Sequence, residues 1–214
     1  MAAVQAQKQG GKVDFEKVKC ITPVFRLSFP QLHEAKSFNN SEPKYSIEML
    51  IAKDVDLKKP ADKQKYSMHQ IAFNAGVASW GADTSKWPKN YKKPWRDGDT
   101  KAERDGYAGH YYIRASSKKQ PGMVDAARRK VLTDVETVFY AGCYCRAEII
   151  AFTYDTAGNK GIGFALQNIQ KVAEGEPFSG RQDAAEAFSM YDSVEDTSEN
   201  AANYEAGADA SMGF

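Results

Sequence analysis

Apolar and polar residues alternate one by one along residues 44–53, and this period of two is the strongest restriction on the fold open to the chain. Tyr45, Ile47, Met49 and Ile51 fall on one side of the run, Lys44, Ser46 and Glu48 on the other. Successive side chains of a strand point to opposite faces, so the run reads as a half-buried antiparallel strand. A strand is also expected at 17–29, with Ile21, Phe25, Leu27 and Phe29 on one face and Pro23 marking an edge or bulge. At 110–117, Tyr111, Ile113 and Ala115 are expected inside, with His110, Tyr112 and Arg114 outside. Two more strands are expected at 141–154 and 160–173, joined by a turn at 155–159. Tyr144, Arg146 and Glu148 then face outward on the first, while Ile162, Phe164 and Leu166 are buried on the second.

Between the second and third of these strands the period changes. Pro60 is expected to open a helix reaching to about Trp80, with Met68, Ile71, Ala72, Ala75 and Ala78 as its apolar stripe and Gly81 as its stop. Residues 30–43 and 82–109 read as loops, and a loop as long as the second usually serves a function. The elements are mainly β: about five strands and one helix, the inventory of an OB-fold, a five-stranded Greek-key barrel. An SH3-like barrel or a small sandwich can be written over the same pattern. The expected organisation is a disordered arm at 1–14, the OB-fold domain at 15–181 and a disordered acidic tail at 182–214.

Most of the unusual chemistry lies in the long loop and its immediate surroundings. Residues 80–130 contain all three tryptophans (Trp80, Trp87 and Trp95) together with Tyr91, Tyr107, Tyr111 and Tyr112. From Lys86 to Lys130, thirteen Lys or Arg stand against five Asp or Glu, a local net charge of +8. Flat side chains among cations suit a single-stranded nucleic acid, whose bases offer π-faces and whose phosphates offer negative charge. The competing reading is core aromatics with a solvated basic rim. Neighbours such as Gly81, Pro88 and Pro94 leave the tryptophans without helix or strand periodicity, which favours the first reading.

Net charge matters here because the formal total of +1 conceals a segregation. Residues 182–214 carry eight acidic side chains and no Lys or Arg, leaving residues 1–181 at +9. A basic body with a polyanionic tail points to a polyanion partner for the body and an interaction or masking role for the tail. No run of eighteen apolar residues exists and residues 1–11 lack a secretory apolar core, so neither a membrane partner nor secretion is expected. Three cysteines, two of them spaced as Cys143-x-Cys145, match neither a zinc finger nor a redox motif and read as small buried hydrophobes in a reducing compartment.

Catalytic constellations are sparse. His33, His69 and His110 lie far apart, there is no Walker loop, and Gly158, Gly161 and Gly163 belong to a hairpin rather than a dinucleotide fingerprint. Asp97, Asp99, Glu103 and Asp105 suggest a Mg²⁺ site, but their spacing misses a calcium loop. Arg96, Lys101 and Arg104 are placed to neutralise them, so a salt-bridged turn is the preferred reading. No catalytic residue, metal ligand or cofactor is assigned.

Four runs carry a resemblance: KYSIEMLIAK (44–53), RDGDTKAERDGYAGHYYIRASSKKQPGMVD (96–125), FYAGCYCRAEIIAFTYD (139–155) and NKGIGFALQNIQKVAEGEPFSGR (159–181). In this order they resemble a family of phage-encoded single-stranded DNA-binding proteins, over roughly Val18 to Arg181. The resemblance implies an OB-fold, binding to single-stranded DNA with little sequence preference, no catalysis, and action in the cytoplasm of a bacterial host. An acidic tail ending in an aromatic residue, here Phe214, is a further likeness to phage and bacterial single-strand binders.

The residues themselves supply the expected site. Trp87, Tyr91, Trp95 and Tyr112 are the first stacking candidates, with Tyr107 and Tyr144 behind them. Lys89, Lys92, Lys93, Arg96, Arg114, Lys118, Lys119, Arg128, Arg129 and Lys130 are the expected backbone contacts, while Trp80 and Tyr111 are assigned to packing. Single-stranded DNA is the expected partner and duplex DNA a weaker one. The tail, through Asp192, Glu195, Asp196, Glu199 and Phe214, is expected to occupy the basic groove or to recruit replication or recombination proteins. A metal-dependent nuclease and a protein–protein adaptor remain as alternatives.

Overall fold

Period-two runs become strands, and the strands join edge to edge. The computed structural model describes residues 14–37, 41–156 and 158–178, all within Met1–Ser179, one of two compact units of the chain. In chain order the elements are β1 (Lys19–Ile21), β2 (Phe25–Lys36), β3 (Lys44–Ala52), α1 (Met68–Trp80), β4 (Trp95–Asp97), β5 (His110–Ser117), β6 (Gly122–Val124), α2 (Val135–Val138), β7 (Tyr144–Thr156) and β8 (Asn159–Ala173). The described residues are mainly β, with one α-helix of thirteen residues, α1, and a single α-helical turn, α2, beside short 3-10 turns.

The five long strands pair in a circuit: β7 with β2, β2 with β3, β3 with β5, β5 with β8, and β8 back with β7. Within that circuit β5–β8 is parallel and the other pairings are antiparallel. Short strands extend it, β1 on β7, β4 on β5 and β6 on β8. The face turned inward is the apolar one: Phe25 and Leu27, Ile47, Met49 and Ile51, Ile113 and Ala115, Ala147 and Ile149, then Ile162, Phe164 and Leu166. Met68, Ile71, Ala72 and Ala75 of α1 join the same core, and each large aliphatic side chain so buried contributes about 1.5–3 kcal/mol. Cys143 and Cys145 lie within it as free thiols with their sulfurs 3.6 Å apart. Among the described residues no helix is long and apolar enough to cross a membrane.

The helix starts at Met68 rather than at Pro60. Ser67 Oγ accepts from the Gln70 amide (3.1 Å) while Gln70 Oε1 accepts from the Ser67 amide (2.9 Å), so a capping box fixes the first turn there. Upstream, Lys63 has a left-handed φ of 59°, which a continuing helix does not accommodate. Gly81, at φ 88°, ends the helix as expected.

The expected strand at 17–29 is two strands. Thr22–Val24 breaks it, and buried Thr22 accepts the Ala147 amide through Oγ1 at 3.0 Å. β2 then runs on to Lys36, through residues expected to be loop. It does so across a bulge: Ser28 pairs with Glu48 and Gln31 with Ser46, one residue too many on β2. The extra residue throws Phe29 out of the core face, leaving it 53% exposed. β4, β6 and α2 had no counterpart in the sequence reading, because three or four residues are too few to display a period. The expected arm lies outside the described residues apart from Asp14, and the expected tail lies outside them entirely.

Candidate nucleic-acid interface

The sheet register sets the outer face of β2, β3, β5 and β4. One row across these strands reads Arg26, Leu50, Tyr112, Arg96, and the adjacent row begins Ser28, Glu48, Arg114. Two apolar positions flanked by arginines are thereby displayed on the side of the sheet away from the core.

Two segments fold over this row. Residues 98–109 bring down Tyr107, whose ring lies 5.5 Å from that of Tyr112 and whose hydroxyl donates to Glu48 Oε2 at 2.5 Å. Burial, assisted by Glu48, pushes the Tyr107 phenol up to about 12, so it remains a donor throughout the physiological range. From the other side comes Phe178. It packs on Gly106, where an added Cβ would lie 2.4 Å from the Phe178 ring, so any larger residue would displace it. Leu50, Tyr107, Tyr112 and Phe178 form a second, smaller apolar cluster outside the main core.

Cations collar that cluster. The Arg26 guanidinium sits 4.4 Å from the Phe178 ring centre and 5.4 Å from that of Tyr144, and donates to the carbonyls of Gly142 (3.1 Å) and Glu176 (2.5 Å). Lys101 Nζ is 4.3 Å from the Tyr112 ring centre and Arg96 is 5.8 Å from it. Arg104 lies between the Tyr107 ring (5.9 Å) and the Phe29 ring (5.7 Å). Each is a cation–π contact that sets a positive charge beside an aromatic ring.

The acidic turn that leads into this loop is tied to the sheet. Lys53 Nζ lies 2.6 Å from Asp97 and 2.5 Å from Asp99, and Asp99 also accepts the Gly109 amide at 2.7 Å. The Lys53 ammonium holds both carboxyls below the ordinary carboxylate range. This is a salt-bridged turn: Lys53 neutralises Asp97 and Asp99 in place of Arg96 and Lys101, while Arg104 pairs with Glu103 at 3.9 Å as expected.

Three expected stackers are corrected by burial. Trp87 is 8% exposed: its ring lies on Gly76 of α1, where an added Cβ would come within 2.4 Å of it, and its indole Nε1 donates to the Gly81 carbonyl at 2.9 Å. Trp80, Tyr91 and Phe73 surround it with ring centres 5.3–5.8 Å apart. Residues 87–91 are therefore stapled to the helix. Tyr107 and Tyr112 are buried by the outer cluster, although Tyr112 occupies the outer face expected of it. Tyr91 and Trp95 are half-buried. Trp95 stacks on His69 at 5.1 Å, and burial, reinforced by Lys58 and Lys93, lowers the His69 pKa. Tyr144 is exposed beside Arg26.

All ten expected cations are exposed, but they do not form one group. Arg96 and Arg114 belong to the outer face, with Arg114 Nη2 donating to Ser46 Oγ at 3.4 Å. Lys89, Lys92 and Lys93 follow the segment whose Lys92 bridges Gly161 of β8. Lys118 pairs with Glu42 at 2.5 Å, with Lys119 next to it, while Arg128, Arg129 and Lys130 lie by β6, where Arg129 pairs with Asp125 at 2.7 Å. Arg26, Lys101, Arg104 and Phe29, which gather around this cluster, are not among the expected residues. Arg26 alternates with core Phe25 and Leu27, a signal that was readable; Lys101 and Arg104 sit in an aperiodic loop and had none.

These elements define a class, a mainly-β protein whose outer sheet face carries a cation-collared aromatic cluster. Residues 18–199 match the family described as Enterobacter phage Enc34, ssDNA-binding protein, and the chain belongs to that family. Among solved structures it is similar to the single-stranded DNA-binding protein from bacteriophage Enc34, at 23% identity over 86% of this chain and 97% of that one, with a TM-score of 0.60. The structure of that phage protein in complex with ssDNA matches at 20% identity over 81% of this chain and 97% of that one, with a TM-score of 0.62. The bacteriophage T7 single-stranded DNA binding protein gp2.5 shares 10% identity over 84% and 98% of the two chains, with a TM-score of 0.51. At these identities the likeness is one of fold. Putative protein p50 of Acyrthosiphon pisum secondary endosymbiont phage 1 is 40% identical over 85 residues, so the match spans 40% of this chain and 45% of that relative.

Proposed function

We propose that this chain is a single-stranded DNA-binding protein with little sequence preference, and that it binds through the outer face of β2, β3, β5 and β4. The observation that carries the reading is the collar of Arg26, Arg96, Lys101 and Arg104, with Arg114 one row away. These cations neutralise phosphates in succession, releasing condensed counterions. Bases stack on exposed Tyr144, which shares this face with Arg26, at about 1–3 kcal/mol per base, while Trp95 and Tyr91 pack against the main core on the other side. Family membership supports the same assignment.

The five-strand circuit, closed by β7–β8 and carrying its parallel pairing between β5 and β8, supports reading the fold as an OB-fold. Lys89, Lys92, Lys93, Lys118, Lys119 and the Arg128–Lys130 group extend the positive track, with duplex DNA a weaker partner. The acidic residues of 182–214 compete for the collar or recruit replication and recombination proteins in the host cytoplasm. Titrating a labelled oligo-dT with the full chain at low salt tests the central assignment. Saturable binding, unaffected by base composition, is expected; no binding, or binding to duplex at least as tight, refutes it.

A further inference from the structure

We propose that Phe29 is a base-stacking residue, displayed outward by a strained bulge at the end of the cationic collar. This rests on the single-strand reading above and adds to it a residue that the sequence places in the core. Four non-glycine residues among those described have positive φ: Phe29 (43°), Lys63, Arg128 and Asp134. The last three are polar residues outside the strands. Phe29 alone is a bulky aromatic, and it sits within a strand. A left-handed backbone is where a bulge ordinarily places Gly, and where Asn is tolerated. A phenylalanine there is an outlier that folding by itself does not favour.

Nor does burial repay that strain. The Phe29 side chain is 53% exposed, and the ring contact it makes is with the Arg104 guanidinium, 5.7 Å from its centre. Two other exposed phenylalanines have packing roles: Phe73 lies against Trp87, and Phe152 lies over Gly163 of β8. Phe29 has the opposite character, a large flat apolar surface held out beside a cation. Arg104 is shared between Phe29 and Tyr107, so the ring continues the collar rather than standing apart from it. A base stacked on Phe29 places its phosphate within reach of Arg104, the pairing of π-face and cation that single strands use.

A structural role and a stacking role predict different things for the same substitutions. Phe29→Asn and Phe29→Gly accept the left-handed backbone and remove the ring. If Phe29 stacks, both variants keep their Tm within about 4 °C of the parent or raise it, while oligo-dT affinity falls about 5- to 150-fold. Phe29→Tyr retains parental affinity. Unchanged affinity in Phe29→Asn overturns the proposal, as does a loss of affinity that comes with a larger fall in Tm. The parent chain, measured alongside, separates the two levels: if it fails to bind oligo-dT, the single-strand reading falls as well.

Discussion

Trp87 shows how one residue divides function from packing. Its ring fills the notch left by Gly76 and is ringed by Trp80, Tyr91 and Phe73, so its removal opens a cavity beside α1. Trp87→Ala is expected to destabilise the fold by about 3–5 kcal/mol in a denaturant melt, with single-strand affinity intact wherever the protein is folded. A variant that keeps its stability and loses affinity would contradict the packing role. Lys53 is the second telling residue, since it lowers the carboxyl pKa of Asp97 and Asp99 and has its own pKa raised in return. Depressed carboxyls stabilise the fold above their unfolded value of about 3.9, and that contribution is lost as pH falls through the folded value. The raised ammonium stabilises below its unfolded value of about 10.4, and the contribution is lost as pH rises through the folded one. The Tm difference between the parent and Lys53→Gln is therefore expected to be level from about pH 5 to 9 and to narrow at both extremes. A difference that persists unchanged to pH 2 would show that Lys53 acts through packing instead. Residue identity alone revealed neither role: a tryptophan among prolines in an aperiodic loop looks the same whether it faces solvent or a glycine notch. Burial is settled by a partner about ten residues away on α1.

At the scale of elements, legibility followed periodicity. β5 has the expected limits, 110–117, and the β7–β8 hairpin differs from its expected turn by a residue or two. These strands have one apolar face and one polar face, so their register was written in the alternation. The helix boundary was missed because Pro60 looked like a first-turn proline, whereas the Ser67–Gln70 pair supplies both capping hydrogen bonds. Ser67→Ala is expected to cost about 1 kcal/mol, since it strands the Gln70 amide; no change in stability would mean that the helix is held by its core face alone. β2 failed differently: a bulge reverses the alternation after Ser28, so Phe29 continued the apolar pattern on paper while facing outward in the fold. The outer face of the sheet was visible in Tyr112, Arg96 and Arg114. The cluster that covers this face was not, because Tyr107 and Phe178 reach it from a loop and from the segment after β8.

The whole molecule is governed by charge segregation. Residues 1–181 carry a net +9 and residues 182–214 eight negative charges, so the near-neutral total describes neither part. A collar built from charge makes an electrostatic claim, and salt measures it directly. Each phosphate neutralised on a single strand contributes about −0.7 to the slope of log K against log[salt]. Arg96 and Arg114 are both exposed, on adjacent rows of the outer face, and neither has an acidic partner among the ion pairs of the described residues. Both can be replaced by Gln with little effect on the core. The decisive measurement is the salt slope of oligo-dT binding for the parent chain and for the Arg96→Gln/Arg114→Gln variant. A steep parental slope that becomes shallower by about 1.4 in the variant supports the outer face as the binding surface. A flat parental response, or an identical slope in the two proteins, would place single-strand binding somewhere other than this face.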